Sequence, residues 1–188
     1  MELLQALHHR SSTPCRLLAE PGPTAEQLQK MLECAVRAPD HGKLVPWRFL
    51  SIQGTSRQQL GELIAQRSLE RNPEAGAAII EKDRQRFSYA PLVVAVVSRL
   101  TPGHKVPEQE QLLSGGAVCL LLLQAADALG FAAQWLTGWV AYDPVIAATL
   151  GLGENERVLG FIHMGTAREA PVERERPDPK SLLTDLRL

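Results

Sequence analysis

The sequence feature that most constrains the fold is the apolar run in residues 107–129, which begins at a proline and is followed by Gly130. A proline suits the first turn of a helix and a glycine suits the position after its last turn, so this run is predicted to be one helix. From Ala117 to Leu129 it is apolar nearly all round, interrupted only by Gln124 and Asp127. A helix without a polar face is predicted to be buried on every side.

A chain of 188 residues can rarely enclose such a helix by itself, which leaves two explanations. The helix is either the central core helix of a monomer or an element that is covered by the second subunit of a homodimer. Composition favours the dimer, and the sequence leaves both explanations open. The longest uncharged stretch, Gln111–Ala126, has 16 residues and includes two Gln, a Ser and two Gly. Because a membrane span requires about 20 apolar residues, we expect no membrane insertion.

The bulk composition is that of an ordinary globular protein and excludes several classes of partner. Hydrophobic residues make up 45%, charged residues make up 22%, the net charge is −1 and the pI is about 6.5. This balance provides no basic surface for nucleic acid or for an anionic membrane. Cys15, Cys34 and Cys119 form no CxxC pair and leave one odd cysteine in any disulfide scheme. Since no export signal is recognisable either, we expect a cytoplasmic protein with one domain over residues 1–188.

The rest of the chain alternates helices with fewer strands, which predicts a single α/β or α+β domain. Helices are predicted over Glu2–His9, after the capping boxes Thr24–Gln27 and Ser56–Gln59, over Ala75–Phe87, and from Asp143 to Gly151. Strands are predicted over Trp47–Gln53, over the β-branched run Ala90–Ser98, directly after Gly130, and over Glu156–Thr166. Residues 10–23 are predicted to be loop, residues 68–88 to be charged and irregular around their helix, and residues 167–188 to be an extended arm.

Three polar segments are candidates for chemistry, and each also has an ordinary structural explanation. In HHRSS, residues 8–12, Arg10 offers a planar five-donor fork to a phosphate and Ser11 adds a hydroxyl. Taken alone, this pair is more often a solvated helix end. His8 and His9 cannot both face one metal ion from a helix, and the five histidines form no ligand cluster. We therefore predict no metal site.

The second segment, RAPDHGKLVPWRF, places an acid, an imidazole, a glycine and an ammonium between two prolines at residues 37–49. Asp40 or His41 could act as a general acid or base, but no Ser or Cys nucleophile stands nearby to complete a triad. A loop that hydrogen-bonds itself would explain Asp40. The two rigid prolines favour a preorganised rim for a ligand.

The third segment, LGFAAQWLTG at residues 129–138, is predicted to end the long helix and enter a strand. Gln134, Trp135 and Thr137 would present polar groups at the end of that strand, and ordinary strand packing is the alternative. The chain contains neither GxGxxG after a strand nor GxxxxGK[ST], so a dinucleotide-binding Rossmann unit and a P-loop are not predicted.

Taken in order, these segments resemble the nitroreductase family of FMN-dependent oxidoreductases, and in particular its shortest members. The resemblance covers nearly the whole chain. It rests on the Arg-Ser pair after the first helix and on the ordered motifs RAPDH, PW, HKVP (residues 104–107), LGF and FIHMGT (residues 161–166).

The resemblance implies an α+β sandwich that forms an intertwined homodimer, with two FMN molecules at the subunit interface and residues 167–188 wrapping the partner. It also implies NADH or NADPH as hydride donor to FMN N5, followed by a nitroaromatic, quinone or enone-like acceptor in a ping-pong reaction. FMN would carry the chemistry, so no side chain is predicted to be catalytic. The residues implied at the cofactor are His9, Arg10 and Ser11 at the phosphate and ribityl chain; Arg37, His41, Trp135, Leu136 and Thr137 at the flavin; and Lys105 and Arg16 nearby.

Three positions depart from the family pattern. Val45 stands where many members have Gln, and Leu136 stands where related members have Arg. Arg16, five positions after Ser11, is the basic residue nearest to the one expected at the flavin N1–C2=O edge. These departures leave two further hypotheses: a specialised FMN enzyme of the same fold (dehalogenase-like, flavin-modifying or dehydrogenating), or a flavin-binding module without catalysis.

Overall fold

A computed structural model describes residues 3–187, which form helices packed on both faces of an antiparallel sheet. The helices are α1 (Leu3–His9), α2 (Ala25–Ala35), α3 (Thr55–Arg71), α4 (Ala77–Gln85), α5 (Glu108–Ala128) and α6 (Pro144–Thr149). The strands are β1 (Leu18–Ala19), β2 (Trp47–Gln53), β3 (Leu92–Arg99), β4 (Ala132–Leu136) and β5 (Glu156–Ala167). Part of the first predicted helix, Glu2, lies outside the described residues.

The order of the sheet places β5 at its centre. Strands follow the order β1-β5-β3-β2, and β4 also pairs with β5. In the β4–β5 ladder Gln134 lies opposite His163 and Trp135 lies opposite Ile162. Since β4 follows α5 directly and begins with Ala132 opposite Gly165, this pairing fixes the end of α5 near the C-terminal end of β5.

The buried strand β3 separates two layers of core. Leu92, Val94 and Val96 pack into one hydrophobic cluster with residues of α2 and α5. Val93, Ala95 and Val97, which point to the other face, pack into a second cluster that includes residues of α3 and Phe87. Both faces of β3 are covered, as its continuous β-branched run predicts. The α+β sandwich expected from the sequence is confirmed.

The long helix α5 is buried on one side only in the single chain. Val118, Cys119 and Leu122 pack against the sheet, whereas Leu113 is 66% exposed and Leu120 is 43% exposed. With Ala117 and Gln124, these two leucines form a row along the helix that we call the α5 stripe. Among residues 3–187, α5 is the one helix long and apolar enough to cross a membrane, a test that core helices also pass. The predicted all-round burial is therefore not completed within one chain.

Helix boundaries confirm one capping box and correct the other. Thr24 Oγ1 accepts from the Gln27 amide at 3.2 Å, and Gln27 Oε1 accepts from the Thr24 amide at 2.9 Å. The predicted box at Ser56 is wrong, because α3 begins at Thr55 after Gly54 and its N-cap makes no side-chain hydrogen bond. Gly130 has a φ of +82°, which confirms its predicted position after α5.

The charged segment 68–88 is more regular than predicted. Helix α3 continues to Arg71, and α4 begins at Ala77 and packs against α3. A Cβ at Gly61 would lie 2.1 Å from the Arg84 carbonyl oxygen, so glycine is required at this crossing. Ser68 Oγ donates to the buried Asp83 Oδ2 at 2.7 Å. These contacts hold α3 against α4, and α4 confirms the helix predicted over Ala75–Phe87.

The C-terminal segment 168–187 is extended and exposed, as predicted, apart from a single 3-10 turn at Pro179–Ser181. Its apolar side chains have no core beneath them, and neither do those of α1. The exposed residues are Leu3, Leu4 and Leu7 in α1, and Val172, Leu182, Leu183 and Leu186 in the C-terminal segment.

Candidate active site

Arg10, which follows α1 directly, lies in a cationic cavity at the C-terminal end of α5. This cavity has a volume of about 450 Å³, and its polar lining residues are Arg10, Ser12, Gln134, Trp135 and Arg174. Arg10 Nη1 donates to Ser12 Oγ at 3.3 Å, and Arg176 Nη2 donates to the Arg10 carbonyl at 3.2 Å. Two guanidinium groups and a hydroxyl facing one cavity suit a phosphate. We call it the phosphate cavity.

The predicted residues around Arg10 are only partly in this cavity. Ser11 lines a smaller neighbouring cavity of about 280 Å³ together with Arg10 and Asp127, whereas the hydroxyl beside Arg10 in the phosphate cavity belongs to Ser12. His9 ends α1 as an exposed residue.

A second, larger cavity of about 550 Å³ adjoins the phosphate cavity, because Gln134 lines both. We call it the ring cavity; its lining residues are Pro14, Cys15, Arg16, Lys82, Arg86, Tyr89, Gln134 and Leu136. Gln134 Oε1 accepts from the Cys15 amide at 2.6 Å, which ties the 3-10 turn Cys15–Leu17 to β4. This bond explains how Arg16 reaches the cavity. Partial burial raises the pKa of the Cys15 thiol, so that side chain is neutral there.

Arg86 is held at the ring cavity with part of its hydrogen-bonding capacity unused. Its Nη2 donates to Asp83 Oδ1 at 2.8 Å, and Asp83 in turn accepts from Ser68 of α3. Within residues 3–187, the buried Arg86 Nε has no hydrogen-bond partner. A buried, unpaired donor beside an open cavity is the feature expected where a ligand completes the hydrogen bonds.

A buried imidazole lies opposite Gln134 on β5, behind the ring cavity. His163 is 1% exposed, and its ring centroid is 5.5 Å from that of Phe87. Burial, with a smaller contribution from the charge of Arg86, lowers the pKa of His163 to about 4. His163 is therefore neutral near pH 7 and adds no charge beneath the ring cavity.

Trp135 points from β4 to the opposite face from Gln134 and packs flat against β5. Its Nε1 donates to the Leu159 carbonyl at 3.1 Å. A Cβ at Gly160 would lie 1.9 Å from Nε1, so only glycine leaves room for the indole. Thr137, next in the predicted group, follows β4 as a half-buried residue.

The other predicted residues lie near the N-terminal end of α5. His41 Nδ1 is 2.7 Å from Glu110 Oε2, and both line a cavity of about 300 Å³ with Pro39, Leu113, Ser114 and Ala117. Ser114 Oγ donates to the Pro39 carbonyl, which anchors the loop to α5. Along α5, Ala117 of this cavity and Leu120 of the phosphate cavity are three residues apart, or about 4.5 Å along the axis, so both cavities reach the α5 stripe.

The loop around His41 is rigid and strained. Asp40 accepts from the amides of Leu44 and Val45, at 3.1 and 2.8 Å, so its carboxylate has a structural role. Lys43 and Val45 have φ values of 54° and 49°, which are costly for residues with a side chain, above all for β-branched valine. These hydrogen bonds hold the loop that was predicted to be stiff, and its role as a ligand rim stays a prediction. Val45, which stands where many members have Gln, is a strained, exposed valine.

Lys105 and Arg37 lie at this same end of the molecule. The Cβ position of Gly42 is 3.4 Å from Val106 Cγ2, so the HKVP loop packs on the His41 loop and carries the exposed Lys105 beside it. Arg37 is exposed in the turn after α2. One chain thus brings Arg10, Trp135, Arg16 and Leu136 to one end of α5, and His41 and Lys105 to the other.

Sequence reasoning missed three cations at the two cavities: Lys82, Arg86 and Arg174. Lys82 and Arg86 are four residues apart, the spacing that places side chains on one face of a helix. Both lie within the helix predicted over Ala75–Phe87, but the sequence did not show which face of that helix lines a cavity. Arg174 carried no local signal, because it lies in an irregular arm.

Comparison with known proteins agrees with this geometry. The nitroreductase family model matches residues 7–166. The Escherichia coli K12 protein named "Putative NAD(P)H nitroreductase YdjA" is 35% identical over 185 residues, which cover 98% of this chain and 99% of that protein.

Solved structures show the same fold. A nitroreductase-like family protein from Bacillus cereus superposes with a TM-score of 0.83 at 20% identity, covering 99% of this chain and 96% of the other. A nitroreductase with bound FMN from Bacteroides fragilis superposes with a TM-score of 0.74 at 21% identity, over 100% of both chains. The order of motifs, the matched family model and the full-length similarity to YdjA lead to one conclusion: this chain belongs to the nitroreductase family.

Proposed function

We propose that this protein is an FMN-dependent NAD(P)H oxidoreductase that reduces a nitroaromatic, quinone or related small acceptor. The observation that carries the proposal is the pair of adjoining cationic cavities joined at Gln134. FMN has a phosphate at one end and an aromatic ring system at the other, and these two parts match the two cavities in order. Bound FMN would supply the hydride-transfer chemistry between a nicotinamide and the acceptor, and the residues of the two cavities would hold it.

The phosphate cavity would hold the phosphate through Arg10, Ser12 and Arg174. Each guanidinium offers paired N–H donors that match phosphate oxygens, and the hydrogen bond from Arg176 to the Arg10 carbonyl keeps the arm next to Arg10. We assign the hydroxyl contact to Ser12, in addition to the predicted Ser11, because Ser12 is the one already bonded to Arg10.

The ring cavity would stabilise charge on the flavin edge. Arg16, Lys82 and Arg86 line it, and Leu136 supplies an apolar wall. Cations beside the N1–C2=O edge favour the added negative charge of reduction, because attraction between charges is stronger where water is partly excluded. Lys82 and Arg86 thereby replace the cation lost at Leu136. The hydrogen bond from Arg86 Nη2 to Asp83 would hold this guanidinium in place for the contact.

A homodimer would complete the site from both ends of α5. If two α5 stripes packed antiparallel across a twofold axis, the N-terminal end of each helix would meet the C-terminal end of the other. His41 of the partner subunit, with its rigid loop, would then face the cavities of this chain. The uncovered leucines of the α5 stripe, of α1 and of residues 168–187 support this arrangement, including an arm that wraps the partner. Arg37 and Lys105 would belong to the same rim.

We also propose a cytoplasmic location, because NADH and NADPH are intracellular donors and all three cysteines of the chain are free.

The proposal is tested by an absorption spectrum of the protein purified with added FMN, followed by anaerobic NADH or NADPH. Flavin bands that bleach with either nicotinamide would support the oxidoreductase. Bound FMN that does not bleach would favour a specialised enzyme of the same fold. The departures from the family pattern at Val45 and Leu136 are the reason for considering that alternative. Absence of bound FMN would overturn the proposal.

A further inference from the structure

A third cavity adjoins the ring cavity and has no role in the function above. It has a volume of about 410 Å³, and its lining residues are Ala19, Glu20, Arg57, Ser88, Tyr89, Pro91 and Arg168. Tyr89 lines both this cavity and the ring cavity. A molecule whose reacting part enters the ring cavity can therefore extend past Tyr89 into the third one.

The guanidinium of Arg57 is held at this cavity by hydrogen bonds from one of its nitrogens. Its Nη1 donates to the carbonyls of Ser88 and Ala90, which holds the guanidinium against the chain before β3. In the part of the chain that the structure describes, Arg57 makes its side-chain hydrogen bonds through Nη1, and its Nε, which has no partner, is buried. Nη2 is therefore the nitrogen that Arg57 can offer to an anion in the cavity.

Arg168 supplies a second cation from the end of β5. Its backbone amide donates to the Leu17 carbonyl at 2.9 Å, which fixes the start of its side chain. The side chain is exposed and forms no ion pair within residues 3–187. Glu20 is the one carboxylate that lines this cavity, and its Oε2 already accepts from the Gly22 amide at 3.0 Å. The local charge is therefore positive in a chain whose net charge is −1.

We propose that the cavity of Arg57 and Arg168 is a subsite for the anionic group of a substrate that reacts at the ring cavity. The group is a phosphate of the nicotinamide dinucleotide or a carboxylate on the acceptor, since both present paired oxygens to a guanidinium. Tyr89 separates the reacting end of the substrate from its anionic end. This inference rests on the proposed function and names the class of substrate: small aromatic molecules or dinucleotides with a distal negative charge.

The test compares Arg168→Ala with the matched control Arg157→Ala in the FMN-loaded protein. Both residues are exposed arginines near the two ends of β5, and Arg57 is avoided because its hydrogen bonds support the fold. Binding of NADP⁺ is measured by calorimetry, which needs no turnover. KM values are then compared for 4-nitrobenzoate and for nitrobenzene, which lacks the carboxylate. Arg168→Lys is included because it keeps the charge.

We expect Arg168→Ala to weaken NADP⁺ binding, or to raise the KM for 4-nitrobenzoate, by about tenfold, with partial rescue in Arg168→Lys. An effect on NADP⁺ alone identifies the dinucleotide phosphate as the anion, and an effect on 4-nitrobenzoate alone identifies an acceptor carboxylate. Nitrobenzene should be unaffected. If Arg168→Ala behaves like Arg157→Ala with both anionic ligands, the subsite does not exist.

The subsite and the proposed function can fail separately. If the protein took up no FMN, the proposed function would fall, and inorganic pyrophosphate would be titrated into wild type and the two variants. Weaker pyrophosphate binding in Arg168→Ala only would still support an anion site at this position. Equal binding in all three proteins would overturn it.

Discussion

At the scale of single residues, the charge of the ring cavity depends most on Arg86. Asp83 orients this guanidinium, and among residues 3–187 no group bonds to its buried Nε. The family resemblance had placed only Arg16 near the flavin edge. In the structure, Lys82 of α4 and Arg86, directly after α4, line the same cavity. A change at Arg86 should therefore shift the reduction potential of bound FMN more than a change at another arginine of the same helical segment.

We predict that Arg86→Gln retains FMN and lowers its midpoint potential by about 30 mV, equivalent to about 1.4 kcal/mol for a two-electron couple. The physical reason is the loss of a cation beside the edge that becomes negative on reduction. The matched control is Arg84→Gln, since Arg84 lies on the same helix but pairs with Glu62 and Glu81. Dye-equilibration titration measures the potential. Equal potentials in both variants would remove Arg86 from this role.

His163 gives a prediction for the dependence of stability on pH. In the unfolded chain a histidine takes up its proton near pH 6.5, whereas burial delays protonation of the folded His163 to about pH 4. The unfolded state therefore binds more protons in this window, so the free energy of unfolding decreases as pH falls from about 6.5 to about 4, by about 3 kcal/mol in total.

We expect His163→Leu to flatten this part of the profile, and the exposed His8→Leu to leave it unchanged. Urea unfolding at pH steps between 7 and 4 measures the difference. Glu156 adds a further loss at lower pH, because its hydrogen bond with Arg48 lowers the pKa of the carboxyl to about 2. That loss is common to all three proteins. A steep profile retained in His163→Leu would contradict the prediction.

At the scale of elements, the position of Lys82 and Arg86 depends on how α4 packs against α3. Where the two helices cross, position 61 has no room for a side chain, so it must be glycine. A buried hydrogen bond between Ser68 and Asp83 also joins the two helices. The same Asp83 holds Arg86, so packing of the two helices is coupled to the chemistry of the ring cavity.

Gly61→Ala is expected to destabilise the protein by about 1–3 kcal/mol, because backbone must move to admit the methyl group. FMN affinity should fall with it, since α4 carries two cations of the cavity. Gln59→Ala, an exposed change on the same helix, is the control and should affect neither quantity. Denaturant unfolding and FMN titration measure both. A stable Gly61→Ala with unchanged FMN binding would mean that α4 does not position the site.

At the scale of the whole molecule, the two groups of site residues lie at opposite ends of α5. Within residues 3–187, a single chain does not bring His41 and Arg10 into one cavity. The exposed leucines of the α5 stripe are the surface through which a second copy would do so.

Leu113→Glu, at a residue of the α5 stripe that does not line the phosphate cavity of its own chain, is predicted to yield a monomer that binds FMN at least tenfold more weakly, because it places a charge in the apolar contact. The control is Leu69→Glu, an exposed leucine on α3. Light scattering after gel filtration gives the mass, and fluorescence titration gives the FMN affinity. A monomeric wild type that binds FMN tightly would refute the composite site.

The sequence by itself determined the elements whose signals are local. The capping box at Thr24, the β-branched run of β3 and the apolar α5 with Gly130 after it each follow from neighbours a few residues apart. The ordered motifs also identified the family, and with it the fold. The roles of Arg10 and His41 at FMN came from that resemblance and stay predictions.

Tertiary structure alone decided which of these residues share a cavity. The close approach at Gly61 packs α4 against α3, and this packing places Lys82 and Arg86 at the same cavity as Arg16. Gln134 joined the phosphate and ring cavities because β4 pairs with β5 and ties down the Cys15 turn. Such contacts join residues far apart in the chain, and no local pattern records them. Local chemistry thus determined the parts, and long-range packing determined the site.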